Sequence, residues 1–131
     1  MRLVIDTSAL VAIATEEPEC DSFIEVLEAA DNLLISPMNY VEAGVVLVGR
    51  RFFPSRETFD EWLSNYRIQV AAEPVIDALA LDAYLSFGKG RHPAKLNLAD
   101  CFAYALAKQL DAPLLYKGDD FPLTDVRSAL D

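Results

Sequence analysis

Five carboxylates in this chain stand beside its most apolar stretches: Asp6, Glu42, Asp100, Asp119 and Asp120. Buried like charges repel one another and lose their hydration, so a group of them requires a neutralising partner. Oxygen ligands suit hard divalent cations such as Mg²⁺ or Mn²⁺. If these acids converge, the residue types therefore predict metal-assisted chemistry on phosphate esters.

Two of the acids also have ordinary structural explanations. Asp6 directly follows an apolar run and would serve as a helix N-cap, although Thr7 or Ser8 would serve there as well. Glu42 would be a solvated residue at the edge of an amphipathic helix. Its helical neighbours Val45 and Val46 are apolar, however, which favours a functional role for this glutamate.

The remaining acids have the same ambiguity. Asp100 is the third residue after Asn97, where an acid completes a helix cap and favours the helix dipole. A turn near Gly118 explains the Asp119 and Asp120 pair, and it allows only one of them to point into a site. Asp119 comes sooner after the strand end and is the predicted fourth acid, while Asp120 is expected to cap the next turn.

The elements that must position these acids follow an α/β pattern, in which short apolar runs alternate with helical segments around a parallel sheet. The predicted strands are residues 3–5, 33–36, 68–71 and 113–116. The predicted helices are residues 21–30, 37–51 and 98–110, and segments that begin at Ser55 and Pro74. Helices begin where parallel strands end, so the acids are expected to meet at the carboxyl edge of the sheet.

The length and net charge of the chain limit the number of domains and the kinds of partner that it can have. The chain has 131 residues, which favours one domain, and its net charge of −10 argues against a broadly basic nucleic-acid surface. RNA contacts are therefore expected to be local. The basic residues that stand beside the predicted acids in sequence are Arg50, Arg51, Lys89, Arg91 and Lys95. His92, the only histidine, is expected to be an exposed loop residue rather than a general acid.

Cysteine usage and the first residues predict the cellular location. Cys20 and Cys101 lack the spacing of a metal-binding finger, which favours free thiols in a reducing cytoplasm. The apolar run before Asp6 is too short for a signal peptide or a membrane span. The helix that carries Glu42 is too apolar for a solvated face, which predicts a homodimer.

Four segments together resemble the PIN-domain ribonucleases, and more closely the VapC-type toxins of toxin–antitoxin pairs. They are residues 4–10, 39–44, 97–107 and 117–121, and residues 87–94 are similar to one VapC subgroup. The resemblance covers residues 1–131 as a single PIN domain. It implies a three-layer α/β/α fold with a mainly parallel sheet and RNA cleavage that depends on Mg²⁺ or Mn²⁺. It also implies a homodimer and a cognate VapB-type antitoxin that inhibits it in a heterotetramer or larger complex.

The resemblance also implies roles for individual residues. Asp6 and Asp100 match the principal metal ligands, and Glu42 matches the third acid. The fourth position falls on Asp119 or Asp120. Ser8 matches a hydroxyl near the first acid, and Lys117 stands where the family usually has threonine.

Three other classes share parts of this pattern. A receiver-like phosphoacceptor domain has an early aspartate and a late lysine, here Lys117, but it needs an aspartate after a middle strand, which residues 68–71 lack. An aspartyl phosphatase usually has a second acid where this chain has Ser8. A noncatalytic binding module on a PIN fold has no need of the intact acids, and a metal titration would separate it from an enzyme.

Overall fold

The computed structural model of the protein describes residues 1–130. Its elements, in chain order, are β1 (Arg2–Ile5), α1 (Thr7–Ala14), α2 (Cys20–Ala29), β2 (Asn32–Ile35), α3 (Pro37–Leu47), α4 (Arg56–Asn65), β3 (Ile68–Val70), α5 (Asp77–Phe87), α6 (Leu98–Gln109), β4 (Leu114–Leu115) and a short 3₁₀ helix (Phe121–Leu123).

The four strands form one parallel sheet in the order β3-β2-β1-β4. Side chains alternate across β1, so Leu3 and Ile5 pack against helices α1 to α4, while Val4 packs against α5 and α6 on the other face. Both faces are covered, which explains why the strands read as continuous apolar runs. The predicted α/β/α arrangement with a parallel sheet is confirmed.

The strand order places β1 beside β4, although β2 and β3 lie on the other side of β1. The chain therefore changes direction across the sheet between β1 and β4. In open parallel sheets, such a switch point leaves a crevice outside the carboxyl ends of the strands, where ligands bind. A candidate site is therefore expected between the residues that follow Ile5 and those that follow Leu115.

Helix α1 is not among the helices that periodicity predicts, although the N-cap explanation of Asp6 requires a helix at this position. Its segment is apolar at nearly every position, and five of its eight residues are buried. A helix that is apolar all round has no visible helical period, so the pattern gives no signal. Its position between β1 and α2 brings the α1 N-terminus to the carboxyl edge of the sheet.

Two predicted helix boundaries are wrong. Helix α3 ends at Leu47 rather than near residue 51, and the turn that follows it ends at Arg51, whose φ is +64°. Helix α5 begins at Asp77 rather than Pro74, because the side chain of Gln109 binds both Pro74 O and Ile76 N and holds this stretch outside the helix. Ile76, which precedes the helix, is exposed.

Both cysteines are free thiols, of which Cys101 is buried and Cys20 is half-buried. Among the helices of residues 1–130, none has the length and apolar character required to cross a membrane.

Candidate metal and RNA-cleavage site

Asp6 is the most buried acid of the site, with only 2% of its surface exposed. It is the N-cap of α1, and its Oδ2 accepts the backbone N–H of Ser8 at 3.0 Å. The hydroxyl of Ser8 donates to the same oxygen at 2.6 Å. Asp6 therefore caps α1 and also belongs to the candidate site, because the N-cap position of α1 directly follows the end of β1.

Asn39 joins the three elements that surround Asp6, and its role was not predicted from the sequence. It is fully buried in the first turn of α3, where its amide Nδ2 donates to Thr7 Oγ1 at 3.1 Å and to Ala99 O at 3.2 Å. A longer contact of 3.4 Å reaches Asp6 Oδ1, and the hydroxyl of Ser36 donates to the Asn39 side-chain oxygen. A buried amide with all these partners fixes the relative positions of α1, α3 and α6.

Asp100 lies in the first turn of α6, as the sequence predicts. Its Oδ2 accepts the backbone N–H of Asn97 at 3.0 Å, and Asn97 Oδ1 accepts the N–H of Asp100 at 2.8 Å. This reciprocal pair is a capping box. Within residues 1–130, no hydrogen bond occupies Oδ1 of Asp100, so one oxygen remains available to a ligand.

The acids lie close enough to shift one another's proton affinity. Burial raises the pKa of Asp6 to about 7; the hydrogen bonds from Ser8 oppose this shift, and the charges of Asp100 and Glu42 add to it. Burial likewise raises the pKa of Asp100 to about 6, and the charges of Glu42 and Asp120 contribute. The charged neighbours that act on Asp6 and Asp100 are all negative, so the protein alone leaves the site undercompensated.

A divalent cation fits this donor set. Nowhere in residues 1–130 do three His, Cys, Asp or Glu side chains form a ready-made cation cage. Mg²⁺ usually binds one or two carboxylates and keeps waters or phosphate oxygens as its other ligands. Asp6 and Asp100 are the candidate carboxylates for such a site, and the charge of Glu42, half-buried on α3, acts on both of them.

The fourth acid differs from the expectation. Asp119 was expected to lie nearer Asp6 and Asp100, but it is exposed, whereas Asp120 is half-buried and its charge acts on Asp100. Gly118, with a φ of +111°, turns the chain after Lys117 and breaks the relation between sequence distance and spatial distance. Asp120 is therefore the better candidate for the fourth position.

Lys117 does not act as the strand-end lysine of a receiver-like domain would. Its Nζ pairs with Glu17 and lies 3.4 Å from Glu19 Oε2. Its backbone N–H donates to the hydroxyl of Ser8 at 2.9 Å. Its charge is thus held by two glutamates, and it contacts the acidic site only through its main chain and Ser8.

The basic residues separate into two groups. Lys89, Arg91 and Lys95 are exposed in the loop before α6, and within the described chain none forms an ion pair with a carboxylate. Residues 50 and 51 are also exposed, but they follow the far end of α3, about 12 Å along the helix axis from Glu42. Only the first group precedes α6 at the same edge of the sheet as Asp100.

His92 is half-buried rather than exposed as expected. Its Nδ1 accepts the N–H of Ala94 at 3.0 Å, and its ring packs edge-on against Phe87 at a centroid distance of 5.1 Å. These contacts give the histidine a structural role in shaping the basic loop.

The raised acid pKa values predict an unusual pH dependence for the metal-free protein. Unfolded Asp ionises near pH 4, whereas Asp6 in the folded state holds its proton to about pH 7, so stability decreases as the pH rises between these values. The expected loss is on the order of 3 kcal/mol. The free energy of unfolding, obtained by urea denaturation in the presence of a chelator, is compared at pH 5 and pH 8. Asp6→Asn should remove most of the decrease and exposed Asp21→Asn should retain it; equal decreases in both variants would contradict the assignment.

Comparison with known proteins agrees with this geometry. The sequence matches the PIN domain family over residues 3–126. Ribonuclease VapC30 of Mycobacterium tuberculosis is 42% identical over 125 residues, covering 95% of each chain. Ribonuclease VapC of Mycolicibacterium smegmatis is 44% identical over 129 residues, covering 95% of this chain and 97% of that protein.

A solved structure supports the fold independently. The crystal structure of Mycobacterium tuberculosis VapC20, described as a toxin that cleaves the sarcin-ricin loop, superposes with a TM-score of 0.68 at 16% identity. The match covers 95% of this chain and 98% of VapC20. With the family match and two relatives above 40% identity, the conclusion is that this chain belongs to the PIN-domain family and is a relative of its VapC ribonucleases.

Proposed function

We propose that this protein is a metal-dependent endoribonuclease and the toxin of a VapBC-type toxin–antitoxin pair. The observation that carries the proposal is the pair of carboxylates Asp6, buried at the end of β1, and Asp100, half-buried in the first turn of α6, with only negative charges acting on them. Mg²⁺ or Mn²⁺ is the proposed cation, and a cytoplasmic location is proposed because the RNA substrate and a reducing environment are found there.

The chain's own residues have distinct tasks in this reaction. Asp6 and Asp100 would hold the cation, which would supply Lewis acidity for a phosphate oxygen and for an attacking water. Ser8 and Asn39 orient Asp6, and Asn97 orients Asp100. Glu42 and Asp120 add negative charge that favours cation binding and can accept a proton from water.

Loss of either principal ligand should abolish most activity. Asp6→Asn and Asp100→Asn are each expected to lower Mn²⁺-dependent RNA cleavage by roughly 100-fold or more, while the fold is retained, because removing one of several repelling acids does not destabilise the protein. Asp125→Asn, an acid bound by Tyr104 and Lys108 instead, is the matched control. Wild-type cleavage in either ligand variant would disprove the metal site.

The same assay ranks the fourth acid. Asp120→Asn should raise the Mn²⁺ concentration required for half-maximal cleavage more than Asp119→Asn does, because the charge of Asp120, unlike that of Asp119, acts on Asp100. A larger metal-dependent loss in the Asp119 variant would restore the expectation drawn from the sequence.

We also propose that the loop before α6 binds the RNA backbone. Lys89 and Arg91 flank Gly90, whose φ of +85° makes the turn, and Lys95 lies five positions before Asp100. Exposed cations without carboxylate partners are free to contact phosphates. They would hold the strand beside the acids, which themselves repel RNA.

Removal of these charges should change the salt dependence of binding. The double variant Lys89→Ala, Arg91→Ala is expected to bind RNA more weakly, and the slope of its log–log salt plot should be smaller by about one unit or less for each phosphate that is no longer neutralised. Arg67→Ala, Arg127→Ala is a control of equal net charge, with both residues distant in sequence from the basic loop. An unchanged slope in the Lys89, Arg91 variant would contradict RNA binding by the loop before α6. Equal effects in both variants would indicate a nonspecific charge effect.

The proposed homodimer uses the outer face of α3. Val41 and Val45 are 56% and 68% exposed, and they line an apolar cavity of about 410 Å³ between α3 and α4. Val41 also borders a second apolar cavity of about 530 Å³ that reaches Phe102 on α6. An apolar surface that continues over three helices is typical of a protein interface.

Disruption of this face should yield monomers. Val41→Asp, Val45→Asp is expected to shift the protein from dimer to monomer in light scattering at micromolar concentration, because charges replace apolar contact area. Leu130→Asp alters a comparably exposed side chain, 53% exposed, and should remain dimeric. A monomeric wild-type protein, measured without antitoxin, would remove the proposal.

The proposed partner is a VapB-type antitoxin, forming a heterotetramer or a larger complex with the dimer. A net charge of −10 favours a basic partner segment, and an arginine-bearing tail would pair directly with the undercompensated acids.

A further inference from the structure

Lys117 connects the acidic site to a second cluster of charges. Its ammonium pairs with Glu17 and lies 3.4 Å from Oε2 of Glu19. Only about a third of each side chain is exposed: 35% for Lys117, 32% for Glu17 and 37% for Glu19. Partial burial reduces solvent screening, so these pairs restrain the chain more than fully exposed pairs do.

The glutamates are themselves held in place. The N–H of Glu17 donates to Ala12 O at 2.9 Å, and the carbonyl of Glu17 accepts the N–H of Cys20 at 2.9 Å. Glu19 occupies the N-cap position of α2. Lys117 is therefore anchored to the ordered connection between α1 and α2, more than 90 residues earlier in the chain.

The backbone of Lys117 reaches the site through a single side chain. Its N–H donates to Ser8 Oγ at 2.9 Å, and that hydroxyl donates to Asp6 Oδ2 at 2.6 Å. β4 ends two residues earlier, and Gly118 follows with a positive φ. Lys117 is thus the last anchored residue before the turn that carries Asp119 and Asp120.

We propose that Lys117 is a positioning residue: its ion pairs with Glu17 and Glu19 fix its main chain, which orients Ser8 and, through Ser8, the carboxylate of Asp6. The inference rests on the proposed metal-dependent function and adds a residue that, through Ser8, helps to orient Asp6. Within residues 1–130, Glu19 Oε1 is buried without a hydrogen-bond partner. Loss of the Lys117 charge would therefore leave two acids repelling each other, and the 117–120 turn would move.

Three variants of RNA-free protein test the inference. Lys117→Met is expected to weaken Mn²⁺ binding, measured by calorimetry, by about tenfold, the lower end for removal of an outer-shell partner. It should also accelerate amide hydrogen exchange in residues 117–120. Lys117→Arg should restore both properties. Lys108→Met, which breaks a surface pair with Asp125 at 3.2 Å, should change neither.

A double-mutant cycle with Ser8→Ala tests the route. If Lys117 acts through the hydroxyl, Lys117→Met should reduce Mn²⁺ affinity little further once that hydroxyl is absent. Additive losses, or unchanged Mn²⁺ affinity and exchange in Lys117→Met alone, would overturn the inference. Wild-type protein that shows no Asp100-dependent Mn²⁺ binding would overturn the metal site and this inference together. Normal Mn²⁺ binding in both wild type and Lys117→Met would overturn the role of Lys117 alone.

Discussion

The carboxyl group of Asp6, almost completely removed from water, is the constraint on which the rest of the structure depends. A buried carboxylate close to other acids is costly unless dipoles, hydrogen bonds or a cation compensate for it. The first turns of α1, α3 and α6 gather around it, linked by Asn39. Helix N-termini carry partial positive charge, so their convergence favours an anion without introducing a neutralising lysine or arginine.

The charges of Asp6 and Asp100 are only partly compensated by the protein, and this explains how the same side chains can cap helices and still be available to a ligand. Full neutralisation by a protein cation would stabilise the apo form but would also occupy the oxygens that a divalent ion requires. The capping bonds of Asp6 and Asp100 are each made at Oδ2, so both acids are oriented while Oδ1 has at most one long contact. The apo protein thus keeps an unfavourable interaction between Asp6 and Asp100 at the place where a bound cation could relieve it.

The sequence predicted the parts of this design that follow from periodicity and topology. Four apolar runs became the four strands of a parallel sheet, and the charges of Glu42 and Asp100 act on Asp6, as expected for acids near one edge of that sheet. Asn39 was not predicted, because a buried amide in a helix has no periodic signature and its partners lie in elements distant in sequence. Asp119 was preferred to Asp120 because distance along the chain was used as a guide, and Gly118 invalidates that guide by turning the backbone.

The acidity of the whole protein need not prevent RNA binding. At physiological salt, charges more than about 8 Å apart at the surface are largely screened, so distant glutamates have little influence on a bound strand. The electrostatic effect on a bound strand is therefore set mainly by the nearby acids at the carboxyl edge of the sheet and by the exposed Lys and Arg side chains in the loop before α6. A divalent cation bound by Asp6 and Asp100 would offset the charge of these two carboxylates, so a phosphate would be repelled less by the loaded site than by the apo site. In the proposed function, these undercompensated acids would therefore couple RNA binding to cation binding, so that RNA would bind best to the state in which cleavage can occur.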